Sequence, residues 1–156
     1  LVRSRGLGDV YKRQPLRNEQ FLLNLLGQKV SIFPIAKGET VEKGDLVVVN
    51  TRTLQASKAK KEGGYYAIGC AVRIVTDEHG AKSAICKDGI YIINNAELPE
   101  HKILDTDIGR ICYFNGNNSV TLDNMNTTKA GEVLSVGEDG RVLVKISISE
   151  GSELEW

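Results

Sequence analysis

The chain has 156 residues and is 41% hydrophobic, but it contains only five Tyr, three Phe and one Trp, so we expect one domain with an aliphatic core. Its 20 basic and 20 acidic residues cancel, yet the first 14 residues carry four basic residues against one acidic. The remainder is therefore net acidic, which argues against direct binding of nucleic acid. No stretch approaches the roughly 20 apolar residues that span a bilayer, so we expect no membrane partner.

The first 30 residues are expected to lie outside the main domain. Residues 1–14 show neither strand alternation nor a helical stripe, and we interpret them as a translated sequencing-adaptor or cloning sequence; the alternative is a basic arm that binds an acidic surface. Residues 15–30 form a predicted arm, with a short helix over residues 18–26 that Asn18 caps and Gly27 ends.

One face of this predicted helix is apolar. It carries Phe21, Leu22, Leu25 and Leu26. Because an isolated helix this short is marginal in water, these four residues must contact either the protein's own barrel or a neighbouring subunit, and we take them as a candidate subunit contact.

The pattern of residues 31–148 predicts a domain built from β-strands. The first strand, at residues 29–36, contains Pro34, which cannot donate to a ladder and therefore suits a sheet edge or the end of a strand. Residues 46–49 form a continuous apolar run, typical of a strand covered on both faces, and residues 54–59 are its expected partner.

The later strands are predicted mainly as hairpins. Residues 65–76 pair with 81–87, residues 108–114 pair with 119–122, and the hairpin of residues 130–148 has the strongest alternation. A tight Asp88-Gly89 turn leads into a strand at residues 90–94. The polar connection of residues 96–106 is the kind of surface loop where partner contacts often lie.

This pattern of nine or ten short strands predicts an all-β, single-domain fold, either a barrel or a sandwich of antiparallel strands, followed by an acidic tail at residues 149–156. Gly69, Gly109 and Gly131 each come just before or within a short apolar run. We interpret these glycines as positions where the backbone bends or packs closely.

The sequence shows no motif for catalysis, phosphate binding or metal binding. The two histidines, His79 and His101, fall in predicted loops, and no Cys-x-x-Cys or phosphate-binding glycine loop is present. Glu100, Asp105 and Asp107 could share a cation, but carboxylates in a loop are more typical of solvated turns. We therefore expect no metal, no cofactor and no enzymatic activity.

The three cysteines are odd in number and lie in apolar runs. Cys70, Cys86 and Cys112 are predicted to be buried free thiols of a protein made in a reducing cytoplasm.

The order of these motifs resembles that of the tailed-phage capsid cement (decoration) family. The matching segments, which cover about residues 33–148, are residues 41–49, 67–71, 87–91, 107–114, 131–134 and 140–146. The resemblance implies a non-enzymatic virion protein, made in the bacterial cytoplasm, that binds the major capsid protein on the outer surface of the capsid. It also implies self-association, commonly as a homotrimer, and stabilisation of the head.

Two alternatives remain open. A head-fibre or receptor- or glycan-binding domain would need an exposed aromatic platform, for which Tyr65, Tyr66 and Tyr113 are the candidates, although core or interface positions are more typical for them. A small hydrolase would need a cysteine nucleophile, Cys86 or Cys112, with His101 as its base.

Overall fold

The computed structural model describes residues 29–148, which form ten strands and two 3-10 turns. The strands are β1 Val30–Pro34, β2 Leu46–Asn50, β3 Ala56–Lys58, β4 Tyr65–Thr76, β5 Lys82–Lys87, β6 Gly89–Asn95, β7 Ile111–Phe114, β8 Ser119–Thr121, β9 Lys129–Val136 and β10 Val142–Ile146. The 3-10 turns are Pro99–His101 and Asp105–Asp107. The predicted all-β class is confirmed. The predictions for residues 1–28, including the apolar helix face, and for the acidic tail lie outside the described residues.

The first five strands make an antiparallel sheet in the order β1-β5-β4-β2-β3. As predicted, the strand with Pro34 is at the edge, because β1 pairs only with β5. The sheet curves until its two edges almost meet. The Ala36 N–H donates to the Ala56 carbonyl at 2.9 Å, in a single bridge between the end of β1 and β3.

The last five strands close into a barrel in the order β10-β6-β8-β7-β9, with β9 and β10 completing the ring. The hairpins β7–β8 and β9–β10 are antiparallel, as predicted. The purely antiparallel prediction is wrong at one place, since β6 and β8 pair in parallel through Asn94 and Asn95. A parallel pair requires a long crossover, and the 96–110 connection and β7 supply it.

Strand β2 lies between the two hydrophobic cores. Val47 and Val49 face the core of the first sheet, Val48 faces the barrel core, and all three are fully buried. The predicted strand covered on both faces is therefore confirmed. The barrel core itself is filled by side chains such as Ile93, Phe114 and Val144.

Two of the three predicted glycine positions are close backbone approaches. A Cβ on Gly69 would lie 2.1 Å from the Lys87 carbonyl oxygen, and a Cβ on Gly131 would lie 2.1 Å from that of Lys145. Gly109 has open space around it, but its φ of 92° favours glycine, so this position is a bend.

Asp88 joins the sheet to the barrel and also fixes both ends of the domain. It lies between β5 and β6 and is only 5% exposed. Its carboxylate accepts the Lys29 N–H at 2.8 Å and the Ile148 N–H at 3.3 Å, while its own N–H donates to the Lys29 carbonyl at 3.1 Å. The chain therefore enters and leaves the domain beside the first residue of β6.

Candidate functional site

One end of the barrel gathers three loops around a cleft. Because β6 and β8 run in parallel and β7 and β10 run against their neighbours, the 96–110 connection, the start of the loop after β8 and the β9–β10 turn meet at the end where β6 finishes. The cleft there has a volume of about 960 Å³. Its polar lining includes Asn94, His101, Lys102, Asn118, Asp123 and Arg141. We call this region the cleft end of the barrel.

The half-buried side chain of Asn95 organises the cleft end. Its amide nitrogen donates to the carbonyls of Ile103 at 2.8 Å and Gly140 at 3.0 Å, and its oxygen accepts the N–H groups of Ile103 at 2.9 Å and Ala96 at 2.8 Å. One amide thus ties the 96–110 connection to the β9–β10 turn. This role was not predicted; the available signal was an amide at an inward position of β6, on the same face as Tyr91 and Ile93.

Asp123 is the charged centre of the cleft. Its Oδ2 lies 3.5 Å from Lys61 Nζ and 4.0 Å from His101 Nε2. The Met125 N–H donates to its Oδ1 at 3.0 Å, and this hydrogen bond is the main cause that lowers the pKa of Asp123, with the charges of Lys61 and His101 adding to it. Asp123 is therefore a weak base that is suited to fixing charge and accepting hydrogen bonds.

The 96–110 connection presents exposed aliphatic side chains. Leu98 is 59% exposed, Leu104 is 54% exposed and Ile108 is 51% exposed. Leu98 and Leu104 directly precede the two 3-10 turns, whereas Ile103, between the turns, is fully buried in the barrel core. A buried anchor with exposed aliphatic neighbours is suited to binding another protein.

Of the three carboxylates considered as a possible cation site, Asp107 has structural partners instead. Asp107 is 8% exposed, its Oδ2 accepts the Leu104 N–H at 2.8 Å, and its Oδ1 lies 3.0 Å from Arg110 Nη1. Across residues 29–148, no group of three or more His, Cys, Asp or Glu side chains is placed to hold a metal ion. The carboxylate of Asp107 holds the second 3-10 turn and so supports the orientation of Leu104.

The structure gives no support to a cysteine nucleophile. Cys86 and Cys112 are fully buried, in the sheet core and the barrel core respectively, and burial raises the pKa of each thiol to about 12. A nucleophilic cysteine needs an accessible thiolate near neutral pH. The prediction of buried free thiols is confirmed for these two residues, whereas Cys70 is only half-buried.

The three candidate tyrosines do not share one exposed surface. Tyr65 packs against the barrel core, and Lys60 Nζ lies 5.1 Å from its ring centroid. Tyr65 and Tyr66 are successive residues of β4 and therefore point to opposite faces. Tyr113 is half-buried on β7 of the barrel. The core or interface positions expected for these tyrosines describe them better than a platform does.

Comparison of the chain with protein-family models, with curated proteins and with solved structures gives no match. Among the described residues, no helix has the length and apolar character needed to cross a membrane.

Proposed function

We propose that this protein is a structural phage virion protein that binds the outer surface of the capsid and stabilises the head. The observation that carries the proposal is the set of exposed aliphatic side chains Leu98, Leu104 and Ile108, presented by an anchored connection at the cleft end. The order of motifs that resembles capsid cement proteins supports the same function. On this proposal the major capsid protein is the partner and the virion surface is the location.

The proposed role depends on contact area and geometry. Burying apolar surface contributes roughly 25 cal/mol per Å², so a few large aliphatic side chains supply several kcal/mol when a partner covers them. The polar groups of the cleft would form the surrounding hydrogen bonds, as at the rim of other protein interfaces. Self-association as a homotrimer, which the resemblance also implies, would multiply this contact, because each subunit adds a cleft end to the same particle.

Co-sedimentation with purified capsids tests the proposal. The full chain should sediment with the shell, and the Leu98→Ser/Leu104→Ser variant should bind at least about tenfold more weakly, since each leucine loses up to about 2 kcal/mol of burial. The matched control is Ile32→Ser, which replaces an aliphatic residue that is 46% exposed on the first sheet. Equal binding by all three proteins would place the contact elsewhere, and absence of binding by the unmodified chain would contradict the function.

Light scattering measures the predicted self-association independently. The full chain has a mass of 17.1 kDa, so a trimer has about three times that value. Repeating the measurement without residues 1–14 tests whether that segment contributes. A monomer at all concentrations would contradict the homotrimer.

The cleft supports one alternative, a head-fibre domain that binds a receptor or glycan. Its lining includes Asn94 and Asn118 together with Lys102 and Arg141, and amide and cationic groups are suited to sugar hydroxyls. Chemical-shift changes at these residues on adding oligosaccharides, without co-sedimentation with capsids, would favour this alternative over capsid binding.

A further inference from the structure

Strand β6 has the sequence of a strand covered on both faces, but the described residues cover only one. Tyr91 and Ile93 point into the barrel, while Ile90 is 55% exposed and Ile92 is 60% exposed on the outside. Strand β2 has the same kind of continuous apolar run, and there Val47 to Val49 are buried on both faces. An antiparallel sheet with one solvated face normally alternates apolar and polar residues.

The apolar surface formed by the exposed side chains of β6 continues on the neighbouring strand β10. Leu143 of β10 lies directly opposite Ile92 and on the same face, because paired residues of antiparallel strands share a face. We call Ile90, Ile92 and Leu143 the outer row. A groove of about 450 Å³ continues from Ile92 and Leu143 towards Ser135 and the β9–β10 turn.

The chain enters the domain beside this outer row. Asp88 forms hydrogen bonds with both the N–H and the carbonyl of Lys29. Ile90 lies two residues after Asp88. The apolar residues Phe21 to Leu26 end three residues before Lys29. Three residues span up to about 10 Å, which reaches Ile90, about 7 Å along the strand from Asp88. Ile92 is about 7 Å further along, within reach of the residues that precede Leu26.

We propose that the Phe21, Leu22, Leu25 and Leu26 side chains of the same chain pack on the outer row. The inner face of β6 is already filled by the barrel core, so the outer face is the one available to them. A short tether gives an attached segment an effective concentration in the millimolar range, which favours the chain's own segment over that of a second copy. This inference goes beyond the proposed function and concerns the protein in the absence of capsids.

A disulfide trap tests the proposed packing. Leu25→Cys and Ile92→Cys are introduced into the full chain together with Cys70→Ser, which removes the half-buried native thiol. The matched control pairs Leu25→Cys with Lys82→Cys, an exposed position at the end of β5 that is distant from Asp88. Under mild oxidation the first pair should form at least tenfold more intrachain disulfide than the control pair, as measured by non-reducing electrophoresis and peptide mass spectrometry.

Mixing two differently tagged versions distinguishes the possible occupants. Disulfides within one chain support the proposal. Disulfides between differently tagged chains would overturn it and assign the outer row to a second copy. An equal yield from the test and control pairs would also overturn it and leave the row free for another partner.

Methyl NMR of the protein with its three native cysteines provides a second measurement. In the Leu22→Ser/Leu25→Ser variant, the δ1-methyl resonances of Ile90 and Ile92 should shift, whereas that of Ile108, on the 96–110 connection, should not. Unchanged Ile90 and Ile92 resonances would overturn the proposal, and neither measurement depends on whether the protein binds capsids.

Discussion

Replacing Gly131 with alanine should destabilise the protein strongly. A Cβ at this position would lie 2.1 Å from the Lys145 carbonyl oxygen and 3.0 Å from a methyl carbon of Val144. Relief of the first contact requires β9 and β10 to separate by about 1 Å, and overpacking of this kind costs about 1–3 kcal/mol. We expect about 3 kcal/mol, because the obstacle is backbone in the hairpin that closes the barrel. For a domain of this size, that free energy lowers Tm by about 6–12 °C.

Gly63→Ala is the matched control for this prediction. Like Gly131, Gly63 has no positive φ, but a Cβ there would meet nothing closer than 3.9 Å. Alanine at an unstrained position stabilises slightly, by about 0.4–1 kcal/mol, through the unfolded state. Thermal unfolding followed by circular dichroism should therefore shift in opposite directions for the two variants. If Gly131→Ala unfolds within about 1 °C of Gly63→Ala, the close approach of β9 and β10 is refuted.

Three further predictions concern the buried polar and ionisable groups. Asp88→Asn should lower the free energy of unfolding in urea by about 1–3 kcal/mol, because the new amide NH₂ would face one of the two backbone N–H groups that the carboxylate binds. A variant as stable as the wild type would contradict this bridging role. At pH 8, Cys70 should react with a thiol reagent well before Cys86 and Cys112, whose pKa values of about 12 keep them protonated, and simultaneous reaction of all three in the native state would contradict their burial. Burial raises the pKa of Tyr91 to about 12, and its hydroxyl donates to a backbone carbonyl at 2.5 Å, so its contribution to stability is complete below about pH 10 and is lost as pH rises towards 12. Tyr91→Phe should therefore lower the free energy of unfolding by about 1 kcal/mol at pH 8. Between about pH 10 and pH 12 the variant should lose less stability than the wild type does. If stability falls in parallel with pH for the two proteins, the prediction is contradicted.

Local signals in the sequence were sufficient to predict most strands. The apolar run at residues 46–49 and the alternation of Val142, Val144 and Ile146 depend on near neighbours in the chain, and both became strands as expected. Closure of the barrel could not be predicted, since it depends on β6 meeting both β8 and β10, which lie 24 or more residues further along the chain. The sequence does not encode such non-local pairing in any short motif.

The candidate site was predicted only in outline. The polar character of the 96–106 connection correctly marked it as surface loop, and Leu98 and Leu104 are exposed on it. The inward position of Asn95 on β6 was the available signal, but its partners could not be derived from it, because its four hydrogen bonds join segments up to 45 residues apart. The position of Lys60, 3.4 Å from Glu39 and over the ring of Tyr65, was equally not predictable, since Glu39 is 21 residues away in the chain.

The two surfaces proposed to act in binding lie on successive parts of strand β6 and meet at the β9–β10 turn, where Asp139 and Arg141 line both. Strand β6 begins beside Asp88, where the chain enters, and ends at the cleft with Asn94 and Asn95. The outer row therefore begins near Lys29, the first described residue, whereas Leu98 follows the other end of the strand. A change at Leu25 should alter the outer row without altering capsid binding, and a change at Leu98 should do the reverse. Mutations that affect two independent contacts are expected to act additively, so coupling between these two changes would show that the arm itself takes part in the capsid contact.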